Sequence, residues 1–307
     1  MGLLGLASLS LFFFQLVFLG MAGRHWGSDD DREIDRYNIH DQIMDSHVLS
    51  AKPKQESPVA HGKGAIDPAL NVFFTLDDLK VGKRMPIYFP NKSGDHSKSP
   101  RLLTREQSDS IPFSSAQLSH LLSFFSIPGG SPQAKAMEYT LKQCELEPIA
   151  GEARFCAASL ESMLDSARDV FGPKAQLRVL TTTYLPNKKM KKAGDDPLQN
   201  YTIMQAPKRI DATRVIGCHT MPYPYAVFYC HSQAESENRV YRISLGSGGG
   251  EDGWGETSVE VEAVAVCHMD TTLWDRDHAS FRVLGVEPGS SPVCHFFPAD
   301  NLVWVAS

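Results

Sequence analysis

Leu118, Leu121, Leu122 and Phe125 recur at i, i+3, i+4 and i+7 and predict a helix over 115–125. Ser131-Pro132 opens the next one, with serine as cap and proline at the first helical position. Ala134, Met137, Leu141 and Cys144 line its buried face. A third helix carries Leu160, Met163, Leu164, Ala167 and Phe171, and Gly172-Pro173 stops it. The period then changes from helical to alternating. Residues 176–185 and 201–210 read as strands, joined by a basic loop through Lys188, Lys189, Lys191 and Lys192. From Val215 to the end the pattern is strand-rich. Earlier, Phe73-Phe74-Thr75-Leu76 starts a strand or a short helix, and 85–90 reads as a strand ending at Pro90. The fold class is α+β: a helical N-terminal part packed on an antiparallel, β-sheet-rich C-terminal part, in one disulfide-stapled domain over 71–306.

Ahead of that domain the pattern offers no core. Leu3 to Ala22 is almost all apolar, no charged side chain precedes Arg24, and Gly20 and Ala22 flank Met21. Residues 1–22 read as a secretory signal peptide. An uncleaved membrane anchor is the competing reading, because the stretch approaches bilayer-spanning length. The small residues that end the run, with no basic stop-transfer cluster after them, favour the signal peptide. Residues 23–70 begin acidic (Asp29, Asp30, Asp31, Glu33, Asp35) and continue Lys-, Pro-, Ser- and Gly-rich, and read as a disordered linker or propeptide.

Composition narrows the partners. With 42% hydrophobic and 21% charged residues and a formal net charge of −6, the chain does not suggest nucleic-acid binding. A membrane enters only through the transient signal peptide. Asn91 and Asn200 head acceptor sequons for N-glycosylation, consistent with export. Phosphate-binding glycine loops, a nucleophile elbow and an HExxH zinc helix are absent from the sequence. His120, Glu145 and His278 are titratable residues that no motif ties to a site.

The chemistry-bearing pattern is a repeated dipeptide. Four of the six cysteines are followed directly by histidine: Cys218-His219, Cys230-His231, Cys267-His268 and Cys294-His295. Neighbouring residues on a strand face opposite ways, so each pair offers sulfur to one side and imidazole to the other. Val259, Val261, Ala263, Ala265 and Cys267 share one apolar parity, while Glu260, Glu262 and His268 fall on the other. Around the second motif, Phe228 and Cys230 share a face, and Tyr223, Tyr225, Tyr229 and His231 share the opposite one. These three tyrosines are candidates for the substrate side. In an oxidising compartment the sulfurs tend to disulfides rather than to a four-thiolate zinc site. Cys144 pairs with Cys156, close in sequence between two helices; Cys218, Cys230, Cys267 and Cys294 then pair in one of three ways. The imidazoles of His219, His231, His268 and His295 remain as metal ligands. Imidazole suits copper, zinc, iron or nickel, and copper is the strongest binder among the divalent ions.

These residues resemble the BURP domain of plant secreted proteins, whose signature is four Cys-His pairs near the C-terminus. Residues 220–229 separate the first two pairs, and 269–293 the last two, as in the family. The middle gap, 232–266, is roughly ten residues longer than the family pattern, a change that loop-closure entropy tolerates. The glycine-rich stretch 246–257 accounts for it. Phe73-Phe74, Asp77-Asp78-Leu79 and Gly82 resemble the family's opening block. Ile111-Pro112-Phe113-Ser114-Ser115, Cys156-Ala157-Ala158-Ser159-Leu160-Glu161-Ser162-Met163 and Cys294-His295-Phe296-Phe297-Pro298 resemble later ones.

The resemblance implies a plant source and an apoplastic, cell-wall or vacuolar destination. It implies two functional expectations. Some members are copper-dependent peptide cyclases that oxidatively join a Tyr or Trp side chain to another carbon of a core peptide; here one or two copper ions would sit on the motif histidines. Others are non-catalytic wall, seed or stress proteins, or resemble the beta subunit of polygalacturonase, with pectin or polygalacturonase as partner. Self-modifying cyclases carry repeated core peptides, whereas residues 23–70 hold one tryptophan, Trp26, and one tyrosine, Tyr37, with no repeat. A separate substrate peptide is the form of the first expectation that suits this chain.

Overall fold

The computed structural model describes residues 70–89, 100–148, 151–185, 198–233, 238–246 and 260–306. The leader, the acidic segment, Asn91, the lysine loop and most of the glycine-rich insertion lie outside the described residues. Among the described residues no helix is long and apolar enough to cross a membrane.

The helices sit where the apolar periodicity places them. A 3-10 turn, Ser115–Gln117, leads into α2, Leu118–Phe124, which follows the short α1, Arg105–Asp109. In α3, Pro132–Glu145, the Ser131 hydroxyl accepts a hydrogen bond from the Ala134 N–H and Pro132 occupies the first turn. Both satisfy or avoid amide donors that the helix itself leaves unpaired. Ser159 caps α4, Leu160–Phe171, in the same way, and Gly172 leaves it at φ 99°, a conformation glycine adopts without a Cβ clash. A later helix, α5, Ala279–Leu284, is capped by His278 and ended by Gly285. Phe73–Thr75 is a strand, β1, and Leu76–Asp78 a 3-10 turn, so both readings of that segment hold.

The strand-rich half resolves into two antiparallel sheets rather than one. The smaller has the order β3 (Glu152–Ala157), β9 (Val227–Gln233), β8 (Arg214–Met221), β13 (Leu302–Ala306), β4 (Leu177–Leu180). The larger runs β1, β12 (Val293–Phe297), β11 (Val261–His268), β10 (Asn238–Gly246), β6 (Leu198–Ile203), β2 (Arg84–Tyr88). Two short strands flank it: β5 (Thr183–Tyr184) pairs with β11, and β7 (Lys208–Ile210) with β10.

Alternation along each strand divides the core into layers. Val215, Val303 and Val305 of the smaller sheet pack with Val240, Val264, Val266 and Phe297 of the larger, so the two sheets meet face to face. On its other face the smaller sheet sets Ile216, Cys218, Phe228, Cys230 and Trp304 against Met163 and Ala167 of α4. The larger sheet turns Ala263, Ala265, Cys267, Cys294 and Phe296 away from the intersheet layer, onto Ile87, Phe89, Tyr201 and Ile203. Helices α2 and α3 cover the β8–β9 end through Leu121, Met137 and Leu141.

Candidate metal centre

Each Cys-His motif ends up on its own strand, two per sheet. Cys218 on β8 stands directly opposite Cys230 on β9, and Cys267 on β11 opposite Cys294 on β12. Both pairs are disulfides, with Cα atoms 4.0 and 3.9 Å apart, and the third bridge joins Cys144 to Cys156. Strand register therefore selects one of the three pairings open to the four motif cysteines. The Cys144–Cys156 pairing holds; Cys144 lies within α3, and Cys156 lies on strand β3, between α3 and α4 in the chain.

The same register places the imidazoles. One residue beyond each bridge, His219 faces Tyr229 across the ladder and His231 faces Gly217; His268 faces Val293 and His295 faces Val266. Each sheet thus carries two diagonal rings on the face opposite its disulfide, which is the intersheet face. Ring centroids are 5.5 Å apart for His219 and His231 and 5.5 Å for His268 and His295. Across the sheets, His219 lies 5.7 Å from His295 and His231 6.4 Å from His268. All four rings are buried. Gly217 makes the space: a Cβ there would lie 2.9 Å from Phe297 Cζ and 3.7 Å from His231 Nε2.

The surroundings hold three of these rings, His231, His268 and His295, neutral. Burial pushes His231 down to about 4, helped by the Arg154 charge, and pushes His295 down to about 3, helped by His231. His268 also falls well below the ordinary histidine range through burial and then its histidine neighbours. On β3, Arg154 and Glu152 form a buried ion pair at 2.6 Å; Glu152 Oε1 lies 3.9 Å from His231 Nδ1, and the guanidinium sits 5.7 Å over the Tyr229 ring. Asn301 Nδ2 is 3.3 Å from His219 Nδ1. His278 is a fifth buried imidazole at the edge of the cluster. Its Nδ1 accepts from the Ser280 N–H, and Trp274 packs against both His278 (4.5 Å) and His268 (4.9 Å).

Sequence reasoning brought together the four motif histidines and missed Glu152, Arg154, Trp274 and Asn301, which no local spacing links to the motifs. The candidate tyrosines divide. Tyr229 lies 5.8 Å from His231. Tyr223 and Tyr225, in the β8–β9 turn, pack with Phe113 and Phe125 beneath the helices, and burial pushes Tyr225 up to about 12 and Tyr223 upward as well. His120 is exposed on α2. Glu145 accepts hydrogen bonds from Ser114 and Ser115 and anchors the 3-10 turn. Asn200, on β6, is exposed.

Among the described residues no three His, Cys, Asp or Glu side chains already stand in a metal-holding arrangement. One pair comes close to it: His268 Nε2 and His295 Nε2 are 3.4 Å apart. Two imidazole nitrogens ~2.0–2.1 Å from one metal at a tetrahedral angle stand roughly 3.3 Å apart. His268 Nδ1 is buried with no hydrogen-bond partner among the described residues. A cavity of about 10 Å³ opens among His231, His268 and His295, with Gly217, Asn238 and Phe297 in its wall. That volume suits one water or one ion. Neutral buried imidazoles around an ion-sized space fit a soft-to-borderline metal in chemistry.

A family model described as "BURP domain" matches residues 72–306. The chain is 48% identical to BURP domain-containing protein BNM2A of Brassica napus over 241 residues, 78% of this chain and 81% of that protein. BURP domain protein USPL1 of Arabidopsis thaliana is 44% identical over 270 residues, covering 86% of this chain and 92% of its own. BURP domain protein RD22 of Arabidopsis thaliana is 37% identical over 239 residues, 78% of this chain and 56% of its own.

Proposed function

The chain belongs to the BURP domain family of plant proteins, and on that premise we propose that it is a secreted copper protein that oxidatively crosslinks a separate peptide. The observation that carries the reading is the meeting of all four motif imidazoles in one buried layer, with His268 Nε2 and His295 Nε2 at 3.4 Å. Copper bound there would supply one-electron oxidation, with dioxygen as the final acceptor. Joining a tyrosine or tryptophan side chain to a neighbouring carbon removes two electrons and two protons from the peptide. The chain's own residues hold the ligands. The disulfides fix the strand register, the intersheet valines exclude water, and Glu152 orients His231. Three disulfides support passage through an oxidising compartment, with the apoplast, cell wall or vacuole as destination.

Metal analysis of protein secreted from a eukaryotic host tests the reading. One copper per chain is expected in the parent, and none in a His268→Ala/His295→Ala variant that keeps its near-ultraviolet circular dichroism. Stoichiometric copper with no change in mass of tyrosine- or tryptophan-containing plant peptides under dioxygen would overturn the crosslinking step.

A second reading rests on the packing. The rings of His268 and His295 are 9° from parallel, and the cavity is no larger than a single water. A non-catalytic wall protein that uses the imidazoles as core, and that binds pectin or a polygalacturonase, fits those facts. Its signature is a melting temperature that ignores both copper and chelator.

A further inference from the structure

The three disulfides sit in unlike surroundings. Cys218–Cys230 and Cys267–Cys294 each join two strands of one sheet, and all four of their cysteines are 0% exposed. Cys144–Cys156 instead joins a helix to a sheet, from the last turn of α3 to β3, the edge strand of the smaller sheet. Both of its cysteines are half-buried, and Glu145, Leu146 and Glu147 beside Cys144 are exposed. The chain has six cysteines and all are used in the three bridges, so no other disulfide ties the helical cover to the strands. Thiol–disulfide exchange requires a thiolate to reach a bridge sulfur, so its rate follows access. The two buried bridges are reached only after their strands part, whereas the Cys144–Cys156 pair meets solvent in the native fold.

This bridge also closes over a buried layer. Cys156 stands opposite Tyr229 in the β3–β9 ladder, and both bridge cysteines pack against the cluster that holds Tyr223, Tyr225 and Tyr229. Met137 and Leu141, on the inner face of α3, cover the same tyrosines. Away from the bridge, weaker contacts hold the two elements in place. The Thr140 hydroxyl donates to the Pro222 carbonyl at 2.8 Å, and Glu145 accepts from Ser114 and Ser115. β3 keeps its ladder with β9 from Glu152 to Ala157. Breaking the S–S bond therefore leaves the helix and the strand formed and removes the covalent tie between them.

We propose that Cys144–Cys156 is a redox latch, opened by a dithiol, that releases the C-terminal turn of α3 from β3 and admits solvent to the tyrosine layer while the other two bridges stay closed. One thiolate of the dithiol attacks a bridge sulfur, the Cys144–Cys156 bond breaks, and a mixed disulfide forms. The second thiol then closes on the first and frees the other cysteine. Two electrons and two protons pass to Cys144 and Cys156, and the dithiol leaves as its own disulfide. An oxidised thiol such as glutathione disulfide reverses the step. Neither a metal nor the motif imidazoles take part.

Limited dithiothreitol treatment of the full secreted chain without denaturant, quenched with iodoacetamide, tests the selectivity. Peptide mass mapping should find alkyl groups on Cys144 and Cys156 while Cys218–Cys230 and Cys267–Cys294 remain joined. Release of all three bridges together, earlier release of either buried one, or no release until the protein is denatured would overturn the proposal. Amide hydrogen exchange on the singly opened protein tests the latch. Exchange over α3 and β3 should rise about tenfold or more while β11 and β12 stay unchanged. Selective opening with unchanged exchange over α3 would show an exposed bridge that restrains nothing, and would equally sink the idea. Glutathione disulfide added to the reduced, unalkylated protein should restore the original protection; failure to do so would mean that opening is damage rather than a switch. Every readout uses the parent chain, so none depends on a cysteine variant folding.

Discussion

The smaller and larger sheets carry the same device, a cross-strand disulfide with two diagonal imidazoles on its far face, and surround it differently. In the smaller sheet each ring meets a polar side chain: Asn301 beside His219, and Glu152 with its partner Arg154 beside His231. In the larger sheet the rings meet each other, walled by Phe73 and Trp274. The motif and the register determine where an imidazole goes. What its nitrogens do is set by residues on strands distant in sequence.

The largest expected effect breaks the support of the smaller sheet. Arg154 and Glu152 are both nearly inaccessible, at 5% and 8% side-chain exposure. Arg154→Met strands the carboxylate beside His231 and should cost about 3–5 kcal/mol. Adding Glu152→Gln should restore most of that loss. Urea denaturation of both variants checks it; a double variant as unstable as the single one would mean that packing, not charge, is what Arg154 supplies. No substitution of a single polar partner in the larger sheet should match it.

The disulfides come next. Cys267–Cys294 closes a sequence separation of 27 and Cys218–Cys230 one of 12. Chain entropy assigns them about 3.5 and about 2.8 kcal/mol respectively. The double Cys→Ala variant in the larger sheet should therefore be less stable by about 0.7 kcal/mol than its counterpart in the smaller, as read by denaturant midpoints at equal slope. The reverse order would show that the ion pair and α4 already constrain the unfolded smaller sheet less than they reward the folded one.

Acid acts on both sheets at once. His231 is held down to about 4 and His295 to about 3, so below the ordinary value of 6.5 the unfolded chain takes up protons that the folded chain refuses. Stability then rises with pH across this window: it is whole above 6.5 and drains away as pH falls towards 4. His231 alone contributes roughly 3 kcal/mol over that range. Thermal melts of metal-free protein from pH 7.5 to 4 should show the fall, and His231→Phe should make it shallower, with His268 and His295 supplying the remainder. A melting temperature independent of pH over that interval would mean that water reaches the rings.

Much of this site was legible in the chain. The period-2 alternation from Val261 to Cys267 put sulfur and imidazole on opposite faces, and the caps at Ser131 and Ser159 fixed two helix starts, because both depend on residues within one element. The disulfide pairing was not legible, since Cys218 and Cys230 become neighbours only through the β8–β9 ladder. The two-sheet division escaped for the same reason: alternation tells which face is buried and not against what. Glu152, Arg154 and Asn301 carried no signal at all, because their meaning lies in contacts across 79, 75 and 82 residues to His231, Tyr229 and His219.

The smallest effect probes the one place where the smaller sheet yields room to the larger. Gly217 faces His231 across the β8–β9 ladder, and its missing side chain admits the Phe297 ring from β12. Its φ is not in the left-handed region, so space and not backbone freedom requires glycine. Gly217→Ala brings a methyl to 2.9 Å of Phe297 Cζ, closer than carbon atoms pack, and Phe297 is itself stacked 4.7 Å from His295 and 4.9 Å from His219. The cost of overpacking is about 1–3 kcal/mol. Phe297→Leu should relieve it in the double variant, since the shorter side chain vacates the contact. If the sheets separate instead, both single and double variants lose stability equally, and the imidazole layer is held by Phe297 rather than merely bordered by it.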